Sequence, residues 1–212
     1  MARPRLISDD EILGTVRRAV LEDGPRVSLD IVAERLGVTA PALFKRFGSR
    51  NALLVAALAP PRPDFLDLLE GGPDARTFAL QLEELFRSIA GWCRGAVPCM
   101  VALKGSGISF EEVHDALGEA PPVVIGRTLA AWLSRAHRAG IAHVTDAETA
   151  SVAMMGALHT RAFLSHLLRR PPLARELAED AKRFTMLFLE GLAPHAPAAK
   201  RSSRTTTKSK KR

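Results

Sequence analysis

The 212 residues predict an all-α protein, with a small three-helix unit at the amino end and a larger helical unit behind it. Three observations carry this. Apolar residues recur at helical spacing along most of the chain, and no stretch alternates as a half-buried strand would. Ala, Leu, Arg and Glu, all good helix formers, dominate, and Tyr is absent. Capping residues and Gly or Pro breaks punctuate the apolar-periodic segments.

Each element follows in order. Ser8 with Glu11 forms a capping-box pattern ahead of Ile12, Val16, Ala19 and Val20, and Gly24-Pro25 ends that helix. Ser28 caps a second helix carrying Ile31, Val32 and Leu36, which stops at Gly37. Thr39 caps a third, where Pro41 is tolerated because a first-turn N–H has no helical partner. Gly48 breaks it, and Ser49 caps a fourth through Leu53, Leu54, Ala57 and Leu58. Pro60-Pro61-Arg62-Pro63 is the strongest break in the chain.

Beyond it a helix is expected from Asp74 to about Cys93, with Phe78, Leu82, Leu85, Phe86 and Ile89 on one side. Residues 94–109 hold a Pro and three Gly and read as a loop with a short helical piece. Further helices are expected over Phe110–Leu117, Pro122 to about Ala139, Thr145 or Asp146 to about Leu168, and Leu173 to about Leu192. The domain division is therefore 1–59, 64–193 and a basic tail over 194–212.

Composition narrows the function classes. Hydrophobic residues at 47% and charged residues at 25% exclude disorder for the bulk of the chain. The net charge of +7 belongs to the last thirteen residues, which hold seven Lys and Arg and no acid; the rest is balanced. That tail is expected to be disordered, either a solvated end or a nonspecific contact to phosphates. Cys93 and Cys99 form no metal or redox motif and read as small buried hydrophobes of a reducing cytosol. Met1-Ala2-Arg3-Pro4-Arg5 leads into acids, so no secretory leader is expected, and no apolar run is long enough for a membrane span. The protein is expected to be cytoplasmic.

An enzyme is disfavoured. The chain has no P-loop, no G-x-S-x-G and no H-E-x-x-H, and Lys104-Gly105-Ser106-Gly107 is too short to cradle a phosphate. Glu83-Glu84 and Glu111-Glu112 are adjacent pairs that split across helix faces. His159 and His166 are seven residues apart with no third ligand in the pattern, so no metal and no cofactor are expected. A DNA-packaging role would need basic charge over the whole fold, yet residues 51–199 carry 14 basic and 16 acidic residues.

Residues 28–50 carry the functional signal. Two short helices flank a turn at Leu36-Gly37-Val38, with Ala33 small enough for close packing and Val38, Leu43 and Phe47 to lock the pair. This is the logic of a helix-turn-helix, whose second helix lies in a DNA major groove. From Arg35 to Pro63 there is no acid, while Arg35, Lys45, Arg46, Arg50 and Arg62 are basic, as a phosphate-facing surface requires.

The run from Ser28 to Leu54 resembles the DNA-binding domain of TetR-type transcriptional regulators. The resemblance lies in the A-x-x-x-G-V turn (Ala33 to Val38), Phe44 three residues after Pro41, the pair Arg46-Phe47, and Ser49-Arg50-Asn51 before Ala52-Leu53-Leu54. It covers residues 8–58. It implies a three-helix DNA-binding domain joined to a helical domain that dimerises and holds an unidentified small-molecule effector. It implies a homodimer on double-stranded palindromic DNA, by family default a repressor, with no membrane partner.

It also implies roles for residues. Thr39, Ala40, Pro41 and Phe44 would lie at or near the groove, and Lys45, Arg46 and Arg50 would reach phosphates, Arg46 also a base. Ser28 would touch a phosphate. Phe44 stands where the family usually has Tyr, which removes one hydrogen bond to phosphate, about 1 kcal/mol. The fourth helix, normally a longer rod, is cut short by Pro60 and Pro61. The dimer seam is expected as a four-helix packing of the last two long helices of each subunit, with Ala153, Gly156, Ala157 and Thr160 allowing close approach and Phe184, Leu187, Phe188 and Leu192 filling the seam. The effector pocket is expected among Phe86, Ile89, Trp92, Met100, Trp132, Met155, His159 and Phe163.

Overall fold

The computed structural model describes residues 7–170 and 174–191. The proposed tail over 194–212, Pro171 to Leu173, and Leu192 lie outside the described residues. Among the described residues there are ten helices and no strand.

The amino-terminal unit is α1 (Asp9–Asp23), α2 (Leu29–Arg35), α3 (Ala40–Phe47) and α4 (Arg50–Leu58). Each begins where its capping side chain stands: Ser8, Ser28, Thr39 and Ser49 accept hydrogen bonds from the backbone N–H of Glu11, Asp30, Ala42 and Ala52. Ile12, Val16, Val32, Leu43, Leu53 and Leu54 close a dry core between them, all at or below 2% exposure. Ile31, placed by its spacing on the apolar face of α2, instead stands half exposed.

The turn between α2 and α3 depends on Gly37, whose φ of 68° lies in the left-handed region. The Val38 N–H then reaches back to the Ala33 carbonyl at 3.0 Å, which closes the helix end and aims α3.

Beyond the proline run lie α5 (Phe65–Gly71), α6 (Phe78–Gly105), α7 (Phe110–Leu117), α8 (Pro121–Arg138), α9 (Ala147–Leu167) and α10 (Ala174–Glu190). Two elements differ from the sequence expectation. Helix α5 fills the gap left between Pro63 and Asp74, where Phe65, Leu66 and Leu69 are buried. The loop expected over 94–109 is instead the second half of α6, which runs through Gly95 and Pro98 for 28 residues.

The physical reason is burial on both sides of the proline. Cys93 and Val97 lie in the carboxyl-terminal core, while Cys99, Ala102 and Leu103 lie in the amino-terminal one. An interior Pro costs about 3 kcal/mol. Burying several apolar side chains offsets that at about 1.5–3 kcal/mol for each large one. Helix α6 therefore spans both cores. Both cysteines are free, and burial pushes the Cys93 thiol up to about 12.

The carboxyl-terminal core gathers Leu85, Phe86, Ile89, Ile125, Leu129, Trp132 and Met154 from α6, α8 and α9. Phe86 stacks on Phe184 of α10 at 5.7 Å between centroids, and Trp132 stacks on Phe78 at 5.6 Å.

Candidate nucleic-acid interface and cavity

Helix α3 is amphipathic at close quarters. Ala40 and Leu43 are buried, and Phe44 and Phe47 pack half-buried against the same core. These four sit at i, i+3, i+4 and i+7, one helix face. Ala40 is 6% exposed and faces inward, so it offers no side chain to a groove. Phe44 is turned mainly toward the protein, and its spacing from Ala40 already carried that signal. The outward face holds Pro41, Ala42, Lys45 and Arg46, with Thr39 exposed at the cap.

The basic side chains are not equally available. Lys45 is exposed and makes no hydrogen bond or ion pair among the described residues. The Arg46 Nε lies 2.5 Å from Asp9 Oδ1, and its Nη1 donates to the Ile7 carbonyl at 2.7 Å, so it ties α3 to the start of α1. Arg50 is half-buried and donates to the Pro25 carbonyl at 3.4 Å, while Arg35 pairs with Asp23 at 3.5 Å. Ser28 is exposed at the amino end of α2, where its hydroxyl accepts from the Asp30 N–H.

A residue that sequence reasoning did not single out positions the whole unit. Arg17 of α1 donates to the carbonyls of Ala57 and Ala59 at 2.5 and 3.0 Å. These carbonyls are at the carboxyl end of α4, which the prolines cut short. A guanidinium there satisfies acceptors that a longer helix would have bonded itself.

The joint to the second unit is polar at its edge and apolar inside. Asn51 Nδ2 donates to Glu112 Oε1 at 2.8 Å, linking α4 to α7. The same carboxylate closes a capping box with Ser109, whose backbone N–H, followed by the Asn51 side chain, holds the Glu112 carboxyl below its ordinary value. Ile108 and Leu103 complete the amino-terminal core.

A cavity of about 670 Å³ opens between α1, α6, α9 and α10. Its inner wall holds Leu158, Ala181 and Phe184, and Pro98 and Ala162 also line it. Leu21 and Glu22 bring α1 to its border. Of the residues expected to form a pocket, Phe163 lines this cavity. Phe86, Ile89, Trp132 and Met155 are core, fully or nearly closed off, because they face the helix-packing seams. Met100 is half-buried against that core.

Trp92 packs edge-on to Phe65 and donates to the Pro61 carbonyl at 3.0 Å, beside a separate shallow groove. His159 is half-buried, and burial lowers its basicity; its Nε2 is enclosed without a hydrogen-bond partner among the described residues. His166, seven residues on, borders the cavity instead. Among the described residues, no three His, Cys, Asp or Glu side chains gather as a metal site. No helix there is long and apolar enough to cross a membrane.

Comparison with known proteins agrees with this architecture. Residues 12–57 match the model for bacterial regulatory proteins of the tetR family, and residues 94–191 match the carboxyl-terminal domain of AefR-like transcriptional repressors. No curated protein matched the chain. Among solved structures, the TetR family regulator PfmR from Thermus thermophilus is 21% identical, with a TM-score of 0.67 over 87% of this chain and 100% of that one. GusR from Salmonella enterica is 16% identical, with a TM-score of 0.62 over 89% and 98%. FadR from Bacillus subtilis, solved with stearoyl-CoA, is 13% identical, with a TM-score of 0.63 over 86% and 98%. With its capped reading helix braced by α1 and α2, and both units matched in sequence, the chain belongs to the TetR family of DNA-binding transcriptional regulators.

Proposed function

We propose that the protein is a homodimeric repressor of a palindromic operator, released when a small molecule fills the cavity between α1, α6, α9 and α10. The observation that carries this is the position of the cavity. It borders α1, which braces the reading helix, and α6, which belongs to both cores. A ligand there touches the elements that set the angle of α3, as differential binding to two geometries requires. FadR, a structural relative, was solved with stearoyl-CoA, which supports a small-molecule effector.

The dimer reading rests on an apolar face. Val152, Leu164, Leu167 and Leu168 of α9 and its carboxyl end are exposed by 46–72%, and Met186, Leu187 and Leu189 of α10 by 45–48%. An apolar surface of this kind, on two helices that both pack against α6 and are linked by the Arg161–Asp180 ion pair, supports an interface between copies of the chain. Ala153, Gly156 and Thr160 are exposed on α9 and allow close approach. Phe184 and Phe188, expected at the seam, pack on Phe86 in the protomer's own core, because their spacing on α10 puts them on the inner face.

In this reading Thr39 and Pro41 face the groove, with Lys45, Arg46, Arg50 and Ser28 near phosphates. DNase footprinting tests it. Protection of one short palindrome by a dimer, with half-sites about one helical turn apart, is the expected result. Uniform protection along the duplex, or a monomer by sedimentation at micromolar concentration, overturns it.

A further inference from the structure

We infer that the ligand of this cavity is an amphipathic anion: an apolar body ending in a single carboxylate or comparable acid group. The inference rests on the reading of the cavity as the effector site and names its ligand class. The inner wall is apolar, formed by Leu158, Ala162, Ala181 and Phe184, and can only take up a body without charge.

The mouth is different. Arg94 of α6 and Arg169, just past the end of α9, both border the cavity, and His166 stands beside them. None of the three makes a side-chain hydrogen bond or ion pair among the described residues. The other charged pair at the mouth is self-neutralised, since Arg161 holds Asp180 at 2.8 Å. Glu22 is the remaining acid there, so unpaired positive charge exceeds negative. Guanidinium groups bind carboxylates through paired, charge-assisted hydrogen bonds, roughly twice as strong as neutral ones.

Arg169 adds an independent observation. Its φ is 51°, the one non-glycine residue in the left-handed region among those described. It occupies the helix-end position where glycine is usual, with the Arg170 N–H closing the turn onto the Ser165 carbonyl at 2.9 Å. An arginine there is strained relative to glycine. The backbone strain is unrewarded among the described residues, where the guanidinium has no polar partner. A ligand acid group at the mouth supplies the missing partner.

The test measures binding of dodecanoate, dodecanol and dodecyltrimethylammonium to the full chain by calorimetry, below their micellar concentrations. Dodecanoate is expected to bind roughly tenfold or more tighter than dodecanol, with no binding of the cation. Arg169→Gly relaxes the backbone, so it folds at least as well; it and Arg94→Ala should each weaken dodecanoate roughly tenfold and leave dodecanol unchanged. Ala162→Trp, which puts an indole ring into the apolar wall, should weaken both.

Equal binding of dodecanol or of the cation overturns the anion assignment, as does dodecanoate affinity unchanged in Arg169→Gly and Arg94→Ala. Binding of none of the three probes, or binding that Ala162→Trp leaves unchanged, overturns it as well. Operator release is followed in parallel. Dodecanoate that binds as expected yet leaves the operator complex intact removes the effector reading while the ligand class stands.

Discussion

Arg46, on the outward side of the reading helix, is held 2.5 Å from the carboxylate of Asp9 at the start of α1. The side chain that the family resemblance assigns to DNA is thus engaged by the protein itself. Both partners are substantially exposed, so the pair contributes little to stability, on the order of 0–1 kcal/mol. Its consequence is competition, because a phosphate and Asp9 would claim the same guanidinium. Asp9→Asn should therefore tighten operator binding severalfold and steepen its salt dependence by about one released ion. Titrations at several salt concentrations check this, and weaker binding by the variant would show that the pair instead fixes the angle of α3.

Lys45 has no competing partner among the described residues. Lys45→Ala should weaken binding to operator and to unrelated duplex by similar factors, and lower the salt slope by about 0.9. A loss confined to the operator would mean that Lys45 reads a base edge.

Arg17 closes the end of α4 that the prolines leave open. Replacing it with Met keeps most of the aliphatic stem but strips two carbonyls of their donors. Arg17→Met should cost on the order of 1–3 kcal/mol in urea unfolding. Unchanged stability would show that water satisfies the Ala57 and Ala59 carbonyls equally well.

His159 gives the stability a pH dependence. Burial holds its folded pKa below the ordinary imidazole value of 6.5. In the window between, the unfolded chain binds a proton that the folded chain refuses. Stability contributed at this site is therefore present above 6.5 and falls as pH drops through and below it. His159→Leu should have a melting temperature that changes less between about pH 7.5 and about pH 5.5 than the unaltered protein does. Parallel curves for the two proteins would remove the assignment.

Much of the amino-terminal unit was legible in the residues themselves. Ser8, Ser28, Thr39 and Ser49 each cap the helix that their position announces, because capping is a contact between a side chain and backbone two or three residues away. Gly37 marks the turn for the same local reason. The expected helix Phe110–Leu117 also begins and ends where its Ser109 cap and Gly118 stop stand.

Local rules failed where burial from distant segments outweighed them. Gly95 and Pro98 break helices in isolation, yet α6 continues through them because two separate cores hold its flanks. In the sequence Phe86, Trp132 and Met155 read as pocket residues because large apolar side chains line cavities as readily as they fill cores. Only the packing of α8, α9 and α10 decided that these fill the core, leaving space beside Phe163 and Phe184.

By itself, then, the sequence determined the helical class, the four capped helices and the turn that makes a DNA reader, since each depends on neighbours within a few residues. The tertiary structure alone decided which cations face outward, where α6 ends and where a ligand fits. Those depend on contacts such as Arg46 with Asp9 or Arg17 with Ala57, whose partners lie 37 and 40 positions apart along the chain, beyond the reach of any local pattern.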